Sequence, residues 1–299
     1  MYKIVIQLLF SAFVLAYFSV SIASEEKFTQ TGEFDIPEAH QGVGVDADHF
    51  YAVDNRSIAK YTKAGELVAK WEGSSDGPII HLDSAVVIHG KIFAAHSNYR
   101  FLPMTSSIEV FDAETLQPIE SHSLGIRLGS LTWIDWHDGH WWGTFANYDN
   151  EARNPDGTNA GVPYGGKINT TLVKFDRRWR VLQGWIFPVE LLDQFGDMSN
   201  SGGSWGPDGF LYLTGHDLPL LYKVKIPDAG SILEVVETFP LNVRGQGIAW
   251  DRSNPGVLYG IIRANDEEEA AGQSDRVVVF DSPLQPTPSV EIPLVSKQP

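Results

Sequence analysis

Residues 200–226 read NSGGSWGPDGFLYLTGHDLPLLYKVKI, and this stretch decides the fold. Small residues lead into a tight turn at Pro207-Asp208-Gly209, which is followed by an aromatic and aliphatic segment, Phe210–Thr214. A polar corner at Gly215-His216-Asp217 then precedes a further apolar segment, Leu220–Ile226. Alternating apolar residues between Gly, Pro and Asp turns are typical of short antiparallel strands. The stretch therefore predicts consecutive strands joined by tight turns.

The same order of strand, glycine turn, aromatic strand and polar corner recurs five times. The units start near the following residues: Gly42, Asp83, Ser130, Asn200 and Gly245. Each unit holds four short strands in roughly 40 to 50 residues, which is the period of a β-propeller blade. A four-stranded unit alone leaves both faces uncovered, so five units indicate a closed ring. A β-sandwich is the alternative, and the recurrence in register favours the propeller.

We predict an all-β propeller, with five four-stranded blades preferred and six as the alternative. The open point is Thr29–Ile36, an outer strand that either completes the last blade or belongs to a degenerate sixth. We expect the closing strand of the last unit at Val290–Leu294, a long polar insertion at Asn147–Ile168, and a short helical turn at Val189–Phe195. The acidic run at 266–269 is interpreted as a solvated loop.

Two segments carry a resemblance to known repeats. The residues Asp46…Phe50-Tyr51-Ala52-Val53…Ile58-Ala59-Lys60-Tyr61, and those of Gly206–Tyr212, resemble NHL-type and gluconolactonase-like (SMP-30-like) propeller repeats. The resemblance covers nearly the whole chain after the first 23 residues, and it implies a propeller with its site at one mouth of the central channel. The gluconolactonase-like family uses a divalent cation held by Glu and Asn or Asp. No strand start here offers that glutamate, so the metal is not carried over to this chain.

The first 23 residues differ from the rest. Lys3 is followed by the almost entirely apolar run Ile4–Val20, and Ser21-Ile22-Ala23 is a small-residue cleavage site. This pattern predicts a secretory signal peptide over 1–23, followed by a single propeller domain over 24–299. An uncleaved membrane anchor is the alternative. We expect a periplasmic or secreted protein without disulfides, because the chain has no cysteine.

The 299 residues are 43% hydrophobic, enough for a large core, and carry a net charge of −16. An acidic surface of this size disfavours nucleic acid and anionic membranes as partners, so we expect no nucleic-acid partner and no membrane contact beyond the signal segment. A small-molecule ligand or substrate is the expected partner, and a protein partner is the alternative.

Polar residues at equivalent positions of the blades indicate the candidate site. In the geometry that the resemblance implies, the starts of the inner strands and the corners after the second strands share one face. Four residues are predicted to be catalytic: His81, Asp83, His216 and Arg244. Eight are predicted to bind the ligand: His40, Gln41, His96, Asn98, Asn147, Asn200, Ser201 and Gln246. Each corner residue also has a structural interpretation, because Asp, Asn and His are frequent turn formers.

Two chemistries suit this set. Histidines and Asp83 are ligands for a divalent transition metal, although no short-range metal motif supports a metal site. Without metal, His81 or His216 serves as acid or base with Asp83 orienting it, and Arg244 with Gln246 binds a carboxylate. We therefore predict an enzyme of the lactonase, cycloisomerase or lyase type that acts on a small acidic or sugar-derived substrate. The alternative is a non-catalytic propeller that binds a ligand or a protein through the same face.

Two other groups are assigned to the scaffold. The pair His137 and His140 spans a first-to-second strand turn, which is expected on the opposite face, with solvated imidazoles. The alternating tryptophans of 133–142 can stack on sugars, but their spacing favours packing between blades. A glycosidase is disfavoured, because Asp83 is the only carboxylate at a strand start.

Overall fold

The computed structural model describes residues 28–126, 128–244 and 246–284. Twenty-two strands make up most of this part of the chain, with two short α-helices and one 3-10 turn. Five four-stranded antiparallel sheets form the blades of a β-propeller, which confirms the predicted fold class. No helix among the described residues is long and apolar enough to cross a membrane. The predicted signal segment and the predicted strand Val290–Leu294 lie outside the described residues.

In the first three blades the strands lie side by side in the order in which they occur in the sequence. Strand β1, Thr29–Asp35, comes before them. Blade 1 consists of β2 Gly42–Val45, β3 His49–Asp54, β4 Ser57–Thr62 and β5 Leu67–Glu72. Blade 2 consists of β6 Leu82–Ile88, β7 Lys91–Ser97, β8 Ser106–Asp112 and β9 Pro118–Gly125. Blade 3 consists of β10 Ser130–His137, β11 His140–Ala146, β14 Thr171–Phe175 and β15 Val181–Ile186.

The insertion of blade 3 lies between β11 and β14. It forms a small hairpin of β12 Glu151–Arg153 and β13 Asn159–Pro163, followed by the 3-10 turn Lys167–Asn169. Helix α1, Val189–Gln194, occupies the predicted helical turn, with Pro188 at its N-terminal cap. Pro188 suits this position because proline lacks the amide hydrogen that a first helical turn leaves unpaired.

The last two blades show how the ring closes. Blade 4 consists of β16 Gly202–Trp205, β17 Leu211–Thr214, β18 Leu220–Lys225 and β19 Glu234–Pro240. Blade 5 consists of β20 Ala249–Trp250, β21 Val257–Ile262, β22 Arg276–Asp281 and, as its outer strand, β1. Strand β1 pairs antiparallel with β22, from Thr29 opposite Asp281 to Asp35 opposite Arg276. The outer strand at Thr29–Ile36 therefore completes the last blade, and the described residues contain no sixth.

The acidic run at 266–269 differs from the prediction of a loop. It belongs to helix α2, Asp266–Ala270. The Asn265 side chain accepts the amides of Glu267 and Glu268, and the Glu268 side chain accepts the Asn265 amide in return. This reciprocal capping box, together with acidic residues near the positive helix N-terminus, stabilises a helix that the composition alone did not indicate.

The core is divided among the interfaces between blades. Five hydrophobic clusters each join two neighbouring blades, and their members alternate along the strands. Trp133, for example, is fully buried between blades 3 and 4, and Phe50 between blades 5 and 1. Since a fully buried Leu or Phe contributes roughly 1.5–3 kcal/mol, these interfaces hold the ring together without disulfides.

The inner strands approach each other closely around the channel. Neighbouring inner strands contact one another in all five blades. A side chain at Gly42 would lie 2.9 Å from the carbonyl oxygen of Asp83, and one at Gly247 would lie 2.9 Å from the Cα of Gly42. Glycine at these positions therefore lets blades 5, 1 and 2 meet backbone to backbone, and the channel is constricted there.

Candidate functional site

The candidate site lies at the end of the propeller that we call the upper face. It carries the starts of the inner strands and the connections from the second to the third strand of each blade. Its defining positions are Gln41, His81, Ser130, Ser201 and Gln246 at the strand starts, and the connections after Asp54, Ser97, Ala146, Thr214 and Ile262. The lower face carries the remaining turns, where Asp46 and Asp208 accept backbone amides of the turns that follow them.

His81 and Asp83 meet at the start of blade 2. The Nδ1 atom of His81 lies 2.5 Å from Oδ1 of Asn55, which also accepts the Gln41 amide at 3.1 Å. Because Asn55 Oδ1 accepts hydrogen bonds, His81 Nδ1 carries a hydrogen. The Nε2 atom of the same ring lies 3.4 Å from Oδ1 of Asp83. The imidazole and the carboxylate are therefore adjacent, so a proton can pass between them.

Asp83 has one oxygen that the protein leaves unpaired. The residue is 2% exposed, and its Oδ2 atom is buried with no hydrogen-bond partner among the described residues. The hydroxyl of Tyr164, a fully buried residue, is in the same situation. A buried polar group without a partner costs about 1–3 kcal/mol, so an unpaired acceptor and an unpaired donor at one site indicate a place for another polar group.

Three tyrosines lie above Asp83. Tyr99 comes from the connection after β7, and Tyr148 and Tyr164 flank the β12–β13 hairpin. The ring centroids of Tyr99 lie 4.6 Å from Tyr148, 5.3 Å from Tyr164 and 5.5 Å from His81. Burial, with the Asp83 charge as a further cause, raises the pKa of all three hydroxyls. The tyrosines therefore remain protonated hydrogen-bond donors at neutral pH.

Arg263 joins blades 4, 5 and 1 on the other side of the face. Its Nε and Nη2 atoms donate to the His40 carbonyl oxygen at 3.0 and 2.8 Å, and its Nη1 atom donates to Nε2 of His216 at 3.1 Å. Burial lowers the pKa of the Arg263 guanidinium, and the nearby carboxylates Asp275 and Asp83 oppose that shift. The side chain is therefore a half-buried cation held mainly by backbone and imidazole.

His216 and His40 are each held in a fixed orientation. The Nδ1 atom of His216 lies 2.5 Å from Oδ1 of Asp217, and burial lowers the pKa of the imidazole. Because Nε2 accepts from Arg263, His216 is a neutral ring with both nitrogens engaged. The Nδ1 atom of His40 lies 2.8 Å from Oδ2 of Asp275, whose other oxygen accepts the Ala264 amide.

Two glutamine side chains lie between the His81–Asn55 contact and Arg263. The side-chain amides of Gln41 and Gln246 lie 3.1 Å apart. In the orientation that satisfies its neighbours, Gln246 accepts from Nη2 of Arg263 at 2.9 Å and donates to Ser201 at 3.2 Å. In this orientation the Gln246 oxygen faces the Gln41 carbonyl oxygen, so the two amides touch without a hydrogen bond, and Gln41 donates to Asn55 instead.

The structure places the other predicted residues in the scaffold. His96 accepts the Ile80 amide at 3.1 Å and lies 2.9 Å from the Ser107 hydroxyl, and burial lowers its pKa. The Asn98 side chain donates to the Pro103 carbonyl and accepts the Thr105 amide, and so closes the connection between β7 and β8.

Three more predicted residues have scaffold partners. Asn147 donates to the carbonyls of Leu128 and Asn169. Asn200 accepts the Trp133 indole and donates to Gly202 and Thr214. Arg244 pairs with Glu268 of α2, which also pairs with Arg276.

Sequence reasoning located Arg263 at a polar corner of this face without giving it a role, and it missed the tyrosines. Arg263 stands at the corner after β21, where its signal was a charged residue among ordinary turn formers. Tyr148 and Tyr164 bracket an insertion whose other residues are mostly small or polar, and large aromatic residues in such a segment were the available signal.

His137 also differs from its prediction. It does lie in the β10–β11 turn on the lower face, but its ring stacks on Trp205 at 4.1 Å, and burial lowers its pKa. A solvated imidazole was expected there.

No group of three or more His, Cys, Asp or Glu side chains in the described part of the chain is arranged to hold a metal ion. The side chains of the upper face are instead arranged as pairs, with His81 beside Asp83, His216 beside Asp217 and His40 beside Asp275.

Comparison with known proteins gives structural neighbours only. No family model matches the sequence, and no curated protein matches it. Among solved structures, the chain is similar to one in the mitotic checkpoint complex, with 8% identity, a TM-score of 0.45, and coverage of 92% of this chain and 98% of that chain. It is also similar to the RRP9 WD40 repeats, with 10% identity, a TM-score of 0.42, and coverage of 80% and 79%. A protein of unknown function from Bacteroides caccae shows 11% identity, a TM-score of 0.44, and coverage of 81% and 77%.

Proposed function

We propose that this protein is a propeller enzyme of the lactonase, cycloisomerase or lyase type, acting on a small acidic or sugar-derived molecule at the upper face. The observation that carries the proposal is the His81–Asp83 pair, an imidazole 3.4 Å from a carboxylate whose other oxygen is buried and has no partner among the described residues. In all three reaction types a proton moves next to a carboxyl or lactone carbonyl, so an imidazole beside a carboxylate is the acid–base group that each reaction needs.

The neighbouring side chains supply the other roles. His81 serves as acid or base, Asp83 orients it, and Asn55 fixes which ring nitrogen faces the carboxylate. The protonated hydroxyls of Tyr148 and Tyr164 are donors for a developing oxyanion. Arg263 takes the place that the sequence gave to Arg244 as the positive charge of this face; because its donors are held by His40, His216 and Gln246, it attracts a carboxylate through its charge and not through a bidentate pair.

Access to Asp83 is proposed to depend on the insertion of blade 3. Tyr148 and Tyr164 belong to that insertion and are buried, and burial together with the Asp83 charge raises the pKa of both hydroxyls. Loops of this kind close over substrates and exclude water in many enzymes. Movement of the β12–β13 hairpin away from His81 and Tyr99 would admit the substrate.

The test is an activity screen on the purified full chain. The probes are γ- and δ-lactones of sugar acids, followed by proton release, and uronates, followed by the absorbance of the unsaturated product. We expect turnover of at least one class, and a loss of at least about 10²-fold in kcat for Asp83→Asn and for His81→Gln. The exposed lower-face carboxylate of Asp48 provides the matched control, Asp48→Asn. Turnover that survives both substitutions would overturn the assignment.

A non-catalytic propeller is the second candidate. The donors of Arg263 are largely committed to His40, His216 and Gln246, which favours a rigid face for binding over a face that rearranges around a reaction. The exposed Val162 on the β13 strand offers an apolar contact for a protein partner. Saturable binding of a lactone or uronate without turnover would support this candidate.

We also propose that the protein is exported, on the basis of the apolar segment before Ala23 and the lack of cysteine. Its repeats resemble those of NHL-type and gluconolactonase-like propellers, which is consistent with action on a sugar acid. Mass spectrometry of the protein expressed with its complete N-terminus tests export: we expect a mature chain that begins at Ser24. An intact Met1 in the membrane fraction would support the anchor instead.

A further inference from the structure

A second candidate site lies in the groove between blades 2 and 3, which we call the aromatic groove. It joins two cavities of about 420 and 460 Å³. The first begins at the lower face and is lined by Phe93, Trp136, Trp141 and Arg177, among others. The second follows strands β9 and β14 and is lined by His122, Phe175, Arg178 and Trp179, among others. Trp141 of the first cavity stacks on Trp179 of the second at 4.5 Å, so this pair of rings lies between the two cavities.

The aromatic rings form a continuous wall. Trp141 also contacts Phe93 at 4.6 Å and Trp136 at 4.9 Å, and His122 lies 5.6 Å from Trp179. Trp141 is buried, whereas Trp136, Trp179 and Phe93 are half-buried and keep ring surface for a ligand. Flat aromatic faces with polar edges are suited to ligands that combine an apolar face with hydroxyl groups, as a pyranose ring does.

Trp179 is held in this wall at a conformational cost. Its φ angle is +62°, in the left-handed region that bulky residues rarely adopt. The turn is fixed by Asp176, whose carboxylate accepts the backbone amides of Arg178 and Arg180. A left-handed bulky residue costs on the order of 1 kcal/mol, and the stacking on Trp141 offsets it.

The charge beside the wall is opposite to that of the whole protein. The chain carries a net charge of −16, yet two exposed arginines on the same turn, Arg177 and Arg178, have no carboxylate within ion-pair distance among the described residues. Arg177 lies over the Trp136 ring at 5.7 Å. The nearby carboxylate of Glu120 is already held by Lys91 at 2.5 Å and His122 at 3.3 Å. The groove therefore attracts anions.

We propose that the aromatic groove binds an acidic saccharide, a short chain of uronic acid residues. The sugar faces lie on Trp136 and Trp179, and the carboxylates pair with Arg177 and Arg178. An arginine fork matches a carboxylate through two parallel hydrogen bonds, so the two arginines select acidic over neutral sugars. The groove is lined by none of the residues assigned to the upper-face chemistry, so its occupation can be tested separately from that chemistry.

The test uses the full chain and tetragalacturonate as the probe, with binding followed by calorimetry and by tryptophan fluorescence. A neutral gluco-oligosaccharide of the same length tests the need for charge, and poly-glutamate tests the need for a sugar ring. We expect the acidic saccharide to bind at least tenfold more tightly than either, with affinity falling as salt is raised. Equal binding of poly-glutamate would overturn the proposal in favour of an acidic peptide site, and no binding of tetragalacturonate would overturn it outright.

Variants separate the two parts of the groove. Trp179→Gly removes a ring and relieves the positive φ, so we expect it to fold and to bind at least tenfold more weakly. The double substitution Arg177→Gln with Arg178→Gln is expected to remove the preference for acidic sugars. Its control is Lys225→Gln with Lys70→Gln, which makes the same charge change on blades 4 and 1 and is expected to stay within twofold of the wild type. Equal loss in the control pair would show a general charge effect and refute the site.

Discussion

Replacement of Arg263 by Met tests whether the upper face is a rigid network. The substitution keeps most of the aliphatic length and removes every donor of the guanidinium. Three acceptors lose their partner: the carbonyl oxygen of His40, Nε2 of His216 and the Gln246 amide. These acceptors belong to three different segments, so the substitution separates blade 5 from blades 1 and 4 at this face.

The expected cost follows from these contacts. A hydrogen bond from a charged donor contributes about 1.5–3 kcal/mol, and a buried acceptor left without its donor costs about 1–3 kcal/mol. Burial lowers the pKa of Arg263 because it disfavours the charged guanidinium. In the wild type this desolvation offsets part of the stability that the hydrogen bonds contribute. We therefore expect a loss of about 3–5 kcal/mol in the free energy of unfolding, a large fraction of the roughly 5–15 kcal/mol of a typical domain.

Urea unfolding followed by tryptophan fluorescence measures this loss. Arg180→Met is the matched control, because its ion pair with Asp176 is exposed and such pairs contribute at most about 1 kcal/mol. A second readout is the titration of His216 by NMR: its pKa should rise in Arg263→Met, since the guanidinium is one of the causes that lower it. A variant within about 1 kcal/mol of the wild type, with an unchanged His216 titration, would refute the network.

Three further predictions concern stability. Burial lowers the pKa of three histidines, His96, His137 and His216. Their contribution to the free energy of unfolding is complete above the unfolded pKa near 6.5 and is lost as the pH falls through the lowered pKa values of the folded state. The loss is up to about 1.4 kcal/mol per pH unit for each histidine. Unfolding free energies that stay constant from pH 7 to 5 would contradict this. Gly203→Ala places a methyl group inside the Trp133 ring and should lower the free energy of unfolding by about 1–3 kcal/mol in the same urea assay. In Gly184→Ala the added methyl group meets nothing closer than 3.5 Å, so the free energy of unfolding should stay within about 0.5 kcal/mol of the wild type. Asn265→Ala removes the cap of α2 and should cost about 1 kcal/mol, seen as faster amide exchange at Glu267 and Glu268; unchanged exchange there would argue against the capping box.

Much of the fold could be predicted because its determinants are local. The aspartates that precede the glycine or polar turns accept the backbone amides of those turns, and Tyr51 and Tyr212 donate to them from the same position in blades 1 and 4. Such contacts span few residues, so they leave a recurring pattern in the sequence. The closing strand was ambiguous, because pairing of β1 with β22 depends on a partner far away in the chain.

The site was predicted less well because its roles depend on tertiary contacts. Arg244 and Arg263 both belong to blade 5, and nothing in their neighbourhoods distinguishes them. Arg244 pairs with Glu268, and Glu268 is in place only because Asn265 caps a helix in a run that resembled a loop. Arg263 is left to meet His216, which comes from blade 4. In contrast, His81 and Asp83 are two residues apart, so their pairing needed only a correct strand start.

The pairing of β1 with β22 makes the ring depend on one distant contact. The two strands are about 250 residues apart, and closure over that length costs about 3 kcal/mol more entropy than closure of a ten-residue hairpin. Blade 5 therefore completes late in folding, after blades whose strands are neighbours in sequence. Until then the edge of β22 is an open template, and the β1 strand of a second chain fits it in the same register. Exchange of β1 between two chains would give a domain-swapped dimer in which each propeller is closed by the other molecule.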